Sequence, residues 1–125
     1  MKKEEIIKYR RERAKETLED AKILFENKRL RSTVNRIYYA LFYEVTALLF
    51  SRNLSSPKHS GIISIFNKEF IKKKIVPIEL GKFYNMMYQF RHMGDYEDFI
   101  EFDEEDVKKW LDKAKNFLKE IEKLF

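Results

Sequence analysis

Apolar residues recur at helical spacing early in the chain, and this spacing predicts a first helix. The positions follow one another at intervals of four, three and four residues, as one face of a helix requires: Ala14, Leu18, Ala21 and Phe25. All glycines and prolines lie beyond residue 56, so the strongest helix breakers are absent from this part of the chain. The helix is expected to end in a polar turn at Asn27 and Lys28.

A second helix is predicted from about Leu30 to Arg52, and it is apolar almost all the way round. Such a helix lies at the centre of a bundle, or it also supplies a subunit interface. Asn35, Arg36 and Glu44 interrupt the apolar run, which argues against a membrane span. Glu44 enters the apolar packing and needs a hydrogen-bond donor, for which Arg36, Arg91 or a tyrosine hydroxyl is a candidate.

Three further helices are predicted in the second half of the chain. A short third helix is expected where Ser56 can provide the cap and Pro57 the first helical residue. A fourth helix starts at Pro77, and Gly94 is expected to end it in the left-handed conformation. A fifth helix follows Asp103, whose carboxylate can cap its first turn.

Together these elements predict an all-α fold in one domain that covers residues 1–125. The expected architecture is an antiparallel, up-and-down bundle of four long helices, with an additional short helix between the second and fourth helices. No apolar alternation of period two indicates a strand, and no linker divides the chain.

Composition narrows the chemistry that this domain can perform. The chain lacks cysteine, which excludes disulfides, thiolate zinc sites and thiol nucleophiles, and its two histidines are too few and too distant to predict a metal site. Neither a metal nor another cofactor is expected. The first residues lack the apolar stretch of a signal peptide, which predicts a cytoplasmic protein.

The net charge of +5 is distributed unevenly along the chain. Residues 1–31 hold eleven Lys or Arg against seven acids, whereas residues 95–106 hold eight acids and no base. A basic first helix is compatible with an acidic partner such as RNA or a nucleotide. The pattern favours a solvated face, because mixed Lys and Glu at helical spacing mainly supply solubility and short-range ion pairs.

The sequence Arg-His-Met-Gly-Asp-Tyr at residues 91–96 carries the strongest functional signal. Arg91 follows Met87 and Phe90 on a largely apolar helix face, and Asp95 comes four residues later. An unpaired buried charge costs several kcal/mol, so Arg91 must be paired or must face a functional cleft. The structural alternative is a salt bridge from Arg91 to Asp95 or Glu44.

Several motifs, taken in order, resemble the HEPN superfamily over about residues 14–120. They are Asn-Arg-Ile-Tyr-Tyr-Ala-Leu-Phe-Tyr at residues 35–43, His-Ser-Gly at residues 59–61, and Arg91 followed by Asp95 and Tyr96. The resemblance is to the small stand-alone HEPN proteins of bacteria and archaea. It implies a helical homodimer, and it implies either a metal-independent ribonuclease toxin or a protein paired with a minimal nucleotidyltransferase.

Nuclease members of that superfamily carry an arginine followed, after four to six residues, by a histidine. Here the resemblance places Arg91 at the arginine, but after four intervening residues the chain has Tyr96 in place of a histidine. Tyrosine has an ordinary pKa of about 10 and is a poor base near neutral pH. His92 and His59 are the alternative catalytic candidates. The resemblance also implies that Tyr96 could instead accept AMP from the partner enzyme.

The sequence therefore supports a nucleotide- or RNA-associated binding module with a minimal nucleotidyltransferase as its partner. Ribonuclease toxin and structural scaffold are the alternatives. Six residues form the candidate binding set, because guanidinium groups bind phosphate and aromatic rings stack on bases: Arg36, Tyr39, His59, Arg91, Asp95 and Tyr96. Aromatic residues at helical spacing are also common in a core or dimer contact, and His59 equally suits loop packing.

Overall fold

The computed structural model describes residues 2–125, and it confirms the all-α bundle. Its five helices in chain order are α1 (Lys3–Glu26), α2 (Leu30–Ser51), α3 (His59–Phe66), α4 (Ile78–Tyr96) and α5 (Glu104–Glu122). A short π-helical segment, Asn67–Ile71, continues directly from α3. None of these helices, within residues 2–125, combines the length and apolar content that a membrane crossing requires.

The central position predicted for α2 is confirmed by its packing. Half of its residues are buried, and α1, α3, α4 and α5 all contact it. Two large rings from different helices, Tyr38 of α2 and Tyr84 of α4, are fully buried and stack 6.1 Å apart. Burial of such rings contributes much of the free energy that holds a bundle together.

Two predicted helix boundaries are wrong, and each has a local reason. The third helix begins at His59 rather than at Pro57, because Ser56 Oγ accepts a hydrogen bond from the backbone N–H of Lys58 and forms a turn ahead of the helix. A Cβ on Gly61 would collide with that serine, so glycine permits the close approach.

The fourth helix does not end at Gly94 but continues to Tyr96. Gly94 has no positive φ and is buried, and a Cβ there would lie 3.1 Å from the ring of Phe102. This glycine therefore serves close packing instead of chain reversal. The left-handed residue of this connection is Phe99, with φ 62°.

The predicted start of α5 is confirmed. Asp103 Oδ2 accepts a hydrogen bond from the backbone N–H of Asp106 at 3.2 Å, and Glu104 opens the helix. Acidic residues in the first turn favour the positive end of the helix dipole.

The buried carboxylate of Glu44 has a different partner from those predicted. Glu44 is 1% exposed, and its Oε1 lies 3.5 Å from Nε of Arg11, a residue of α1. Arg11 also approaches Glu122 at 3.5 Å and covers the ring of Phe125 at 4.0 Å. Arg11 is suitably placed because α1 packs along α2. Burial raises the pKa of Glu44 to about 7, although the charge of Arg11 opposes the shift.

Glu44 is expected to make stability depend on pH. Its folded-state pKa of about 7 exceeds its ordinary value of 4.5, so its contribution to the free energy of unfolding is complete below pH 4.5. That contribution is lost as the pH rises to about 7, amounting to about 3 kcal/mol. Urea unfolding at several pH values should show this decline in the parent and not in Glu44→Gln. The exposed control Glu19→Gln should retain it, and an identical decline in Glu44→Gln would contradict the assignment.

Candidate functional site

The Arg91 guanidinium lies on a group of tyrosine rings between α4 and α2. Its Cζ is 4.9 Å from the ring centre of Tyr38, 5.7 Å from that of Tyr88 and 5.8 Å from that of Tyr39. The Arg91 side chain is only 11% exposed. The electron-rich ring faces stabilise the cation in place of the water that packing has removed. We call Arg91 and these three tyrosines the arginine–tyrosine cluster.

The hydrogen-bonding donors of Arg91 are poorly satisfied. Its Nη1 is 3.7 Å from Asp95 Oδ2, which is an ion-pair distance but too long for a good hydrogen bond. Its buried Nε has no hydrogen-bond partner among the described residues. The other carboxylate considered for it, Glu44, pairs with Arg11 instead. Arg91 is thus a desolvated cation with unfilled donors, an arrangement that calls for a functional explanation.

Asp95 is fixed by an amide that connects it to a second arginine. Asn35 Nδ2 donates to the two carboxylate oxygens of Asp95 at 3.0 and 3.3 Å. The opposite end of that amide, Asn35 Oδ1, accepts from Arg36 Nη2 at 2.7 Å and from Nε at 3.0 Å. The Arg36 guanidinium also lies 5.0 Å from the ring centre of Tyr39. Asn35 therefore joins Arg36 and Asp95 into one network beside Arg91.

A cleft opens beside this network. Its volume is about 580 Å³, within the range of small-molecule sites. Asn35, Arg36, Gly94 and Asp95 line it, together with Arg31, whose Nη2 donates to the carbonyl of Ile100 at 2.7 Å. The carboxylate and the amide of the network line this cleft with two arginines, Arg31 and Arg36, whereas Arg91 is not among its lining residues.

His59 reaches the same cluster from the start of α3. Its Nδ1 and the Tyr38 hydroxyl are 2.8 Å apart, and its ring stacks on Phe42 at 4.3 Å. Burial lowers the pKa of His59, and the charge of Arg91 lowers it further. Burial likewise raises the pKa of Tyr38, opposed by Arg91. Near neutral pH, His59 is therefore an uncharged imidazole and Tyr38 an un-ionised hydroxyl.

His92 and Tyr96 are separated from this cluster. Their rings lie 4.9 Å apart and both residues are exposed, Tyr96 by 70%. Because α4 remains helical through Tyr96, that residue points about 140° around the axis from Arg91, whereas Asp95 points only about 40° away. The structure therefore brings together five of the candidate site residues: Arg36, Tyr39, His59, Arg91 and Asp95. Tyr96 and His92 lie outside this group.

Two contributors to the site escaped the sequence-based set. Asn35 supplies the central amide, and Tyr38 connects Arg91 to His59. The available signal for Asn35 was its polarity within an otherwise apolar helix. Tyr38 has the pattern of a core aromatic, and it is fully buried as that pattern predicts. Residues 2–125 contain no group of three or more His, Cys, Asp or Glu that is suited to a metal ion.

Comparison with known proteins establishes the family. The HEPN domain matches residues 7–124, so this chain belongs to the HEPN family. It is similar to a UPF0332 protein of Thermotoga maritima, with 58% identity over 122 residues that cover 98% of this chain and 92% of that protein. Two candidate toxins of Methanocaldococcus jannaschii are each 37% identical to it. Those matches cover 90% and 86% of this chain, and 76% and 85% of the two relatives.

Proposed function

We propose that this HEPN protein binds RNA or a nucleotide through Arg91, and that it forms a toxin-antitoxin-like pair with a minimal nucleotidyltransferase. The family assignment and the two relatives named as candidate toxins support a toxin-like role. The chemistry of the arginine–tyrosine cluster supports a phosphate ligand.

The observation that carries this proposal is the unfilled hydrogen-bonding capacity of Arg91. A guanidinium offers five donors in a planar fork that matches phosphate oxygens. The Arg91 guanidinium carbon lies 4.9 Å from the ring centre of Tyr38, while Nε lacks a partner and Nη1 makes only a 3.7 Å contact to Asp95. A phosphate that supplied acceptors to these donors would satisfy the buried charge.

The second candidate function is metal-independent RNA cleavage, and the position of His59 favours it. Cleavage needs a base that accepts the proton of the ribose 2′-hydroxyl and a cation that stabilises the charged phosphorane. His59 has a lowered pKa and contacts the tyrosine that lies under Arg91. In this alternative His59 is the base, in place of Tyr96 or His92, whose exposed rings lie against each other.

RNA binding and cleavage can be tested together in EDTA. We expect the parent to bind single-stranded RNA, and Arg91→Gln to bind it roughly 10 to 100 times more weakly, because hydrogen bonds to a charged group contribute about 1.5–3 kcal/mol. The control Lys109→Gln, an exposed residue of α5, should bind like the parent. Thermal melting checks that each variant is folded.

The outcomes of this experiment separate the candidate functions. Equal binding by the parent and Arg91→Gln would overturn the proposed site. Cleavage by the parent that is lost in both Arg91→Gln and His59→Gln would replace the binding module with the ribonuclease. A parent that neither binds nor cleaves RNA or nucleotides would leave the scaffold as the function.

We also propose that the chain forms a homodimer. Two exposed aromatic residues near the end of α4 support this assembly: Phe99 is 98% exposed and Tyr96 is 70% exposed. Exposed apolar residues close together in the chain are candidates for a protein contact. Light scattering should give the mass of two chains for the parent and of one chain for Phe99→Ser. A single-chain mass for the parent would contradict the dimer. The same measurement on the chain coexpressed with a minimal nucleotidyltransferase tests whether that enzyme is a partner.

A further inference from the structure

A second groove, distinct from the cleft beside Asp95, lies between α1, α2 and the connection to α3. Its volume is about 530 Å³, comparable with small-molecule sites. Two arginines of α1, Arg10 and Arg13, line it, together with the aromatic residues Tyr9, Phe42 and Tyr43. We call it the α1–α2 groove.

The arginines of this groove continue a pattern that begins near Arg91. Along α2, three aromatic rings on one side of the helix each carry an arginine: Arg36 on Tyr39 at 5.0 Å, Arg13 on Tyr43 at 5.2 Å, and Arg10 on Phe50 at 5.0 Å. The rings are four and seven residues apart, or about one and two helical turns. Guanidinium groups are therefore repeated along one side of α2.

The charge of the α1–α2 groove is positive. No carboxylate is among its lining residues, and Arg10 makes no ion pair with any described residue. The only ion-pair partner of Arg13 among the described residues is the exposed Glu16, at 3.6 Å. Its aromatic wall is accessible as well, because Tyr9 is 62% exposed. Positive charge beside an open ring suits a ligand that has both phosphate and a planar base.

Phe42 joins this groove to the arginine–tyrosine cluster. One part of Phe42 lines the groove, and its ring stacks on His59 at 4.3 Å. His59 in turn contacts the hydroxyl of Tyr38, on which Arg91 lies. Phe42, His59 and Tyr38 therefore form a row of contacting side chains from the groove to Arg91.

We propose that the α1–α2 groove binds further nucleotides of the same single-stranded RNA whose phosphate occupies Arg91. Arg10 and Arg13 contact two backbone phosphates, and Tyr9 provides the exposed ring for base stacking. This inference rests on the proposed function at Arg91, and it adds a binding track toward the N-terminal helix. The positive charge noted in residues 1–31 then has a specific role.

The test measures binding of a labelled oligouridylate dodecamer and of free UMP at several salt concentrations. For the double variant Arg10→Gln/Arg13→Gln we expect about 25-fold weaker dodecamer binding at about 0.1 M salt, and a salt slope that is lower by about 1.4, as the loss of two phosphate contacts predicts for single strands. UMP, which occupies Arg91 alone, should be little affected.

Three matched variants identify the cause of that loss. Arg10→Lys/Arg13→Lys retains the charges and should retain most of the affinity, whereas Tyr9→Ala should lose about fivefold or more with an unchanged salt slope. Lys108→Gln/Lys109→Gln lowers the net charge equally at exposed positions of α5 and should bind like the parent. Thermal melting confirms that each variant is folded.

Each other outcome overturns the inference in a recognisable way. Parental dodecamer affinity in Arg10→Gln/Arg13→Gln, while Arg91→Gln loses binding, rejects the groove and leaves the proposed function intact. Equal losses for UMP and the dodecamer indicate a separate mononucleotide pocket. A smaller molar mass for the groove variant indicates a subunit contact. Loss in the groove variant with parental binding by Arg91→Gln rejects a strand shared with Arg91, and no binding by the parent rejects both proposals.

Discussion

The site depends on one guanidinium that has lost most of its water. Arg91 is stabilised by the faces of Tyr38, Tyr39 and Tyr88 more than by a carboxylate, since Asp95 approaches no closer than 3.7 Å. Interaction with ring faces stabilises the charge but leaves the donors at the edge of the guanidinium unfilled. A fully satisfied salt bridge would have made Arg91 part of the packing; the proposed anion binding depends on this partial compensation.

The same helix, α2, contains two polar sites with opposite properties. At Glu44 a carboxylate is enclosed by the bundle, and the nearby cation, Arg11, comes from α1. At Asn35 and Arg36 the polar groups lie beside a cleft and reach Asp95 of α4. The first arrangement affects stability, because ionising a buried carboxylate is unfavourable. The second positions groups at a surface that a ligand can reach, so one central helix serves both the core and the site.

Local sequence patterns predicted the elements of the fold but not all of its tertiary contacts. The apolar periodicity placed the helices, and the Asp103 cap was identified because its hydrogen bond forms within one turn. Gly94 was misjudged because the reason for a glycine there is the ring of Phe102, on another element. Extending α4 past Gly94 rotates Tyr96 away from Arg91, so this one boundary changed the composition of the site. The partner of Glu44 was missed for a similar reason, since helix-face patterns do not specify which residue of a neighbouring helix lies opposite.

The most direct test of the central claim is the side-chain NMR signal of the Arg91 Nε–H during titration with a short RNA. The signal can be assigned by its absence in Arg91→Gln, and Arg52, which donates to the carbonyl of Leu124, provides a reference within the same spectrum. If Arg91 binds phosphate, its Nε–H signal should shift and exchange more slowly with water as RNA is added, while the Arg52 signal stays constant. An unchanged Arg91 signal in a sample that binds RNA would contradict the claim.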